Sequence, residues 1–216
     1  MSRYQHIIFD LDGTLINSAP AILASFRTVF EGAGRQPVCP IDESIIGPPL
    51  LETLALLSGS QEREVLTDLA ARFAAIYDTN GLLRTTAYAG VDTLLRQLAA
   101  NGLKLHIATN KRIFPTRRIL AHLGWSDLFQ HVYALDLFEP RLPDKATMIQ
   151  RLLSDQGLPR DQAIYVGDRE EDGLAAQRNG LPFLAATWGY GSLAPEELQP
   201  DWGVLAHPHE LPAAIA

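Results

Sequence analysis

Cysteine is almost absent from this chain of 216 residues: Cys39 stands alone, which excludes an intrachain disulfide and a CxxC metal site. A lone thiol fits a reducing compartment. Lysine is nearly as scarce, with three (Lys104, Lys111 and Lys145) against fifteen arginines. No apolar stretch approaches the roughly 20 residues of a membrane helix. The opening MSRYQHIIFDLDG meets acids too soon for a signal peptide or anchor. Repeats and low-complexity segments are missing as well. A soluble, cytoplasmic protein is expected. Positive charge is short too, since 25 acidic against 18 basic side chains give −7. That balance argues against nucleic acid or an anionic membrane as partner. A small anionic substrate would need a local remedy, such as a metal ion or a few placed cations.

What is present is a sizeable apolar fraction, 47%, in a length that makes one large domain or two small ones. Short apolar runs predict strands at His6–Phe9, Leu103–Thr109, His131–Leu135, Ala163–Val166 and Pro182–Ala186. Helices are predicted over Ile113–Leu123, Lys145–Leu153 and Gly173–Arg178. This alternation indicates an α/β fold, a Rossmann-like three-layer parallel sheet with helices on both faces. The first two strands are separated by far more than the dozen or so residues a crossover needs. Ala21–Phe30, Leu50–Leu57 and Glu62–Tyr77 carry apolar residues at helical spacing there. We therefore expect residues 15–86 to form a helical cap inserted after the first strand, with 1–14 and 87–216 forming the core. Gly13–Ser18 and Thr85–Gly90 are the expected linkers.

In open α/β sheets, ligands bind outside the carboxyl ends of the strands. The first strand runs into Asp10-Leu11-Asp12-Gly13-Thr14, and the second ends at Thr109-Asn110-Lys111. The fourth ends at Gly167-Asp168, with Glu170, Glu171 and Asp172 behind it, and Lys145 opens the helix after the third. Singly, these are ordinary features: a DxD caps helices, a Thr-Asn makes turns, and lysines are surface charges. Their joint placement on successive strand ends points to chemistry. Asp10, Asp12 and Asp168 would repel each other unless a cation sat among them. Carboxylates completed by waters and substrate oxygens describe a Mg²⁺ site. Thr109, with the backbone N–H groups after it and after Asp12, could cradle a phosphate that Lys145 neutralises. A carboxylate nucleophile with a second acid to protonate the leaving oxygen needs this inventory.

FDLDGTLINS (Phe9–Ser18) closely resembles the first motif of the haloacid dehalogenase-like hydrolases, the aspartyl-phosphate phosphohydrolases. ATN (Ala108–Asn110), Lys145 in PDKATMI and YVGDREED (Tyr165–Asp172) are similar to the second, third and fourth motifs. IGPPL (Ile46–Leu50) is similar to the phosphoglycolate phosphatase-like branch. The resemblance spans essentially the whole chain in the family's order. It implies that Asp10 is the nucleophile and that Asp12 protonates the leaving alcohol, then deprotonates water. Lys145 would orient the nucleophile, while Thr109, Asn110 and Gly13 would bind phosphoryl oxygens. Asp10, Asp12 through its carbonyl, and Asp168 would hold Mg²⁺, with Asp172 supporting it as a ligand or through water. Glu170 and Glu171 could substitute for Asp172 in part. Asn17 stands where many relatives carry an acid, and a hinge or loop role is expected for it.

The activity so implied is Mg²⁺-dependent hydrolysis of a small phosphorylated metabolite, phosphoglycolate-like or a sugar phosphate. The small-molecule phosphate ester is the expected partner. Dehalogenases lack an acid two residues after the nucleophile, which Asp12 supplies here. Phosphonatases need a lid lysine, and Leu15–Gly90 contains none. The DKTGT motif of ion pumps is absent. A β-phosphoglucomutase-type hexose-phosphate mutase shares all four motifs and is the alternative reading. A non-catalytic phosphate-binding or signalling protein is a third, although phospho-receiver domains are about half this length and have no lid. Arg112, Arg117 and Arg118 are expected on the surface. Trp188-Gly189-Tyr190-Gly191 either borders the active-site mouth or is a structural loop, and His207 and His209 suit a strand-to-helix turn.

Overall fold

A computed structural model describes residues 3–191, 193 and 197–216. Among the described residues, six strands form one sheet: β1 (His6–Phe9), β4 (Lys104–Thr109), β5 (Phe129–Ala134), β6 (Ala163–Gly167), β7 (Phe183–Ala186) and β8 (Gly203–Leu205). Their order is β5-β4-β1-β6-β7-β8, and every pairing is parallel. The strand β1 is buried along its length, as a parallel strand covered on both faces must be. Ile7 and Phe9 point to one core and Ile8 to the other, following the two-residue period of a strand.

The first of these cores is closed by α4 (Val91–Ala100), α5 (Ile113–His122) and the short α8 (Leu211–Ala214). The second is closed by α6 (Lys145–Gln156) and α7 (Glu170–Arg178). Four of the five expected strands agree to within a residue; the third begins two residues earlier, at Phe129. The sheet also gains β8, an edge strand too short for its pattern to show. The expected helix from Gly173 starts at Glu170, because the acids there form its first turn.

The segments expected as linkers carry structure of their own. β2 (Ile16–Asn17) and β3 (Thr86–Ala87) pair antiparallel, Ile16 opposite Ala87 and Asn17 opposite Thr86. Between them lie α1 (Ala19–Gly32), α2 (Leu50–Ser58) and α3 (Arg63–Ile76). The apolar stripe of α3 puts Phe73 against Phe26, with ring centroids 4.6 Å apart, and against Tyr77 at 5.2 Å. The α-helix stops at Ile76, and Tyr77–Gly81 forms a wider π-helical turn. That turn brings Tyr77 and Asp78 towards the core. Among the described residues no helix is long and apolar enough to cross a membrane.

Candidate active site

The site lies at the carboxyl ends of β1, β4 and β6. Asp10 continues the sheet by one residue, its N–H donating to the Val166 carbonyl at 2.9 Å. The chain then turns sharply: the Gly13 N–H donates to the Ile16 carbonyl at 3.0 Å, with φ at +89°. A side chain at Gly13 would overlap the carboxylate of Asp168. The N–H of Gly13 is spent within the turn, so its contribution is conformation and space.

Asp10, Asp168 and Asp172 come together, each buried, with one carboxylate oxygen from each within 4.8 Å of the others. Asp172 reaches the cluster from the first turn of α7, where its Oδ2 accepts from the Arg169 N–H at 3.1 Å. Glu170 and Glu171 on the same turn are exposed, and the Glu171 carboxylate accepts from the Asn110 amide at 3.1 Å. Lys145, the first residue of α6, donates to Asp172 Oδ1 at 2.5 Å and to Asp10 Oδ1 at 3.1 Å. The preceding Asp144 caps that helix, accepting from the Thr147 N–H at 2.7 Å. Asp168 accepts from Thr14 Oγ1 at 3.0 Å and from the Gly191 N–H at 2.9 Å.

Three buried carboxylates thus face one buried ammonium, a deficit of two positive charges. Burial raises the Asp10 carboxyl to about 7, with Lys145 opposing and Asp172 and Asp12 reinforcing the rise. Burial, then Asp172 and Asp10, push Asp168 well above the carboxylate range. Burial works against the charge on Lys145, but Asp10 and Asp172 outweigh it and hold the ammonium protonated. The cluster fits a divalent cation: the donors are hard oxygens, and two charges would cancel the deficit.

Asp12 stands apart from this cluster. Both its oxygens accept from Lys111 Nζ, at 3.0 and 3.1 Å, and Oδ1 also accepts from Ser18 Oγ. Lys111 lies 4.8 Å from the centre of the Tyr77 ring. Burial opposes its charge, yet Asp12 and Tyr77 raise its pKa to about 12. Both site lysines therefore depart from the surface placement that lysine normally takes, their side chains being 5% and 3% exposed. Thr109 is buried and its Oγ1 accepts from the Lys111 N–H at 3.2 Å, leaving its own proton to donate. Asn110 donates to the Gly47 carbonyl and to Glu171, each at 3.1 Å.

The helical unit closes over these groups through its loops. Arg169 donates to the Ile46 carbonyl, and Arg112 forms a bidentate pair with Asp78 at 2.9 and 2.6 Å. Arg112 is accordingly half-buried, whereas Arg117 and Arg118 are exposed as expected. A cavity of about 70 Å³ lies there, with Asp12, Lys111, Tyr77, Gly47 and Asn110 in its wall.

The sequence allows either a mouth or a structural role for the Trp188–Gly191 loop, and the structure makes it a wall of the site. Trp188 Nε1 donates to the Thr14 carbonyl at 2.9 Å, and the Tyr190 hydroxyl lies 3.0 Å from Ser18 Oγ. A side chain at Gly189 would overlap the Gly13 carbonyl. Two glycines spaced two apart after a strand were the available signal. Ser18 carried none, because its partner Asp12 is fixed only by the fold of the turn.

The haloacid dehalogenase-like hydrolase family model matches residues 7–186. The chain belongs to that family. Within the haloacid dehalogenase-like hydrolases it falls in the phosphoglycolate phosphatase-like branch, and it is an enzyme of the phosphoric monoester hydrolase class. A phosphoglycolate phosphatase of Cereibacter sphaeroides is 32% identical over 95% of each chain. A 5'-nucleotidase of Pseudomonas aeruginosa is 31% identical over 88% of this chain and 86% of its own. Among solved structures, a predicted phosphatase from Clostridium acetobutylicum superposes with a TM-score of 0.87 at 28% identity, covering 99% of both chains.

Proposed function

We propose that the protein is a Mg²⁺-dependent phosphatase that hydrolyses a small phosphorylated metabolite through a phosphoaspartate at Asp10. The observation that carries this reading is the charge deficit of Asp10, Asp168 and Asp172 around Lys145, beside an Asp12 held separately by Lys111. Asp10, Asp168 and Asp172, with the Asp12 carbonyl that the family likeness implies, would hold the metal. Bound Mg²⁺ supplies the positive charge that lets a carboxylate approach an anionic phosphate.

The residues of the chain divide the remaining work. An Asp10 oxygen attacks phosphorus, and the bond from phosphorus to the leaving oxygen breaks. Lys145, 3.1 Å from Asp10 Oδ1, fixes the orientation of that carboxylate. Asp12 enters this step protonated, with one oxygen released from Lys111, and gives that proton to the departing alkoxide. Water then attacks the phosphorus of phospho-Asp10, Asp12 takes its proton, and free Asp10 and inorganic phosphate result. The Thr109 hydroxyl and the Asn110 side chain bind phosphoryl oxygens. Asn110 must first give up its bonds to Gly47 and Glu171, so substrate entry is coupled to movement of the lid loop. Residues 15–86 act as the cap, shielding the intermediate from bulk water.

The phosphoglycolate phosphatase relatives support a compact phosphate ester as substrate. The test is hydrolysis of 4-nitrophenyl phosphate by the purified protein with and without Mg²⁺. Turnover that needs the metal and vanishes in Asp10→Asn is expected. Metal-independent turnover, or turnover that survives the substitution, contradicts the reading.

A further inference from the structure

Parallel strands buried on both faces are filled mostly by Val, Ile and Leu, yet the middle of β6 holds a tyrosine. Tyr165 is wholly buried and faces the core closed by α6 and α7. A buried phenol needs a hydrogen-bond partner, and this one finds it two strands away. Its hydroxyl donates to the Ala108 carbonyl of β4 at 2.8 Å, reaching past β1, which lies between. The β1–β4 pairing ends at Phe9 and Ile107, so Ala108 and Thr109 stand just beyond it. The same hydroxyl oxygen lies 3.5 Å from Asp172 Oδ1, the atom that accepts from Lys145. Gly167 shares a face of β6 with Tyr165, and a Cβ there would overlap the Asp172 carboxylate. Asp172 therefore has no room to settle closer to the strand.

We propose that Tyr165 is a positioning residue for phosphoryl transfer, its hydroxyl setting the spacing between the Thr109 end of β4 and the Lys145–Asp172 pair. The proposal rests on the phosphatase reading above, in which Thr109 holds the phosphoryl group and Lys145 orients the attacking Asp10. Those tasks fall to different elements, since Thr109 ends β4 whereas Lys145 and Asp172 come from α6 and α7. In-line attack needs the nucleophile about 3–3.5 Å from phosphorus, and a misplacement of about 1 Å can cost about a hundredfold. A hydroxyl that touches the β4 backbone on one side and Asp172 on the other holds the two to one spacing. Its single proton goes to Ala108, the nearer acceptor, so Asp172 keeps its lone pairs for Lys145 and a metal. The spacing matters most in the transition state, while the contacts of Thr109 with a bound phosphate survive a small shift.

The experiment is Tyr165→Phe, which removes the hydroxyl and keeps the ring. The Mg²⁺-loaded enzyme is inhibited with orthovanadate, a mimic of the five-coordinate transition state, and with inorganic phosphate, the tetrahedral product. The vanadate inhibition constant should rise about tenfold or more, and kcat should fall by a similar factor. The phosphate constant should stay within about threefold of the wild type. Inhibition constants do not depend on the folded fraction, so a partly unfolded preparation does not produce this split. Tyr165→Leu, which lacks both ring and hydroxyl, should show the same split. Ile164→Val, which loosens the core on the opposite face of β6, should move neither constant. An unchanged kcat and vanadate constant in Tyr165→Phe, with a lower thermal midpoint, would make the residue structural and overturn the proposal. Equal weakening of both inhibitors would overturn it too, by placing Tyr165 in phosphate binding. A wild type that hydrolyses esters beside an unaffected Tyr165→Phe removes this inference alone, whereas one that hydrolyses no ester removes the phosphatase reading with it.

Discussion

Lys111 grips both carboxylate oxygens of Asp12, at 3.0 and 3.1 Å, across 99 residues of chain. The grip fixes where the proposed proton donor stands relative to the cavity. Lys111→Met should therefore slow substrates with alkyl leaving groups, which need a proton, by about tenfold to a hundredfold. Aryl phosphates, whose leaving groups depart as anions, should slow much less. Steady-state rates on the two classes decide it, and equal losses would assign Lys111 another role.

Lys145→Met leaves Asp10, Asp168 and Asp172 without a counter-charge. Breaking a buried ion pair on one side costs about 3–5 kcal/mol. Urea unfolding in EDTA should show a loss of that order, and saturating Mg²⁺ should recover part of it. A variant as stable as the wild type in EDTA would mean that the acids do not ionise together.

The close approach of the Gly189 backbone to the Gly13 carbonyl leaves no room for a methyl group. Gly189→Ala should push the loop off Thr14 and Ser18 and cost about 1–3 kcal/mol. Fluorescence of Trp188 and the thermal midpoint report the two effects. An unchanged midpoint would show that the loop yields without strain.

Part of the site is displayed in the sequence, and the rest only the fold assembles. Asp10, Asp12 and Asp168 sit at strand ends, where a few apolar residues followed by an acid mark the spot. Asp172 was tied to Glu170 and Glu171 in the sequence, since adjacent acids share a composition. The helix resolves them, because only one position of its first turn faces Lys145. The partners of both lysines lie far along the chain, so residue type alone favoured the surface. The Arg112–Asp78 pair depends on the π-helical turn after Ile76, a change of pitch that helical periodicity does not announce. In the same way β8 and the Trp188 loop owe their places to the packing of neighbouring strands.

A row of histidines crosses the sheet far from the acids. His6 Nδ1 lies 3.1 Å from His106 Nε2, and the His106 and His131 rings stack with centroids 5.3 Å apart. Burial, then His6 and His131, lower the His106 pKa to about 3. Folded His106 thus stays neutral where the unfolded chain takes up a proton. Its contribution to stability is complete above the ordinary histidine pKa of about 6.5 and is lost as pH falls towards 3, by at most about 1.4 kcal/mol per unit. The difference in unfolding free energy between wild type and His106→Gln should therefore shrink from pH 6.5 to 4.5. A constant difference would show that His106 titrates alike in both states.

The proposed reaction turns on Asp10 carrying the phosphoryl group. Quenching the enzyme during turnover of a phosphate ester with Mg²⁺, then reducing with borohydride, converts an aspartyl phosphate to homoserine. Peptide mass mapping should find homoserine at position 10, and only when substrate and metal are both present. Steady turnover with Asp10 intact throughout, or homoserine at another aspartate, would contradict it.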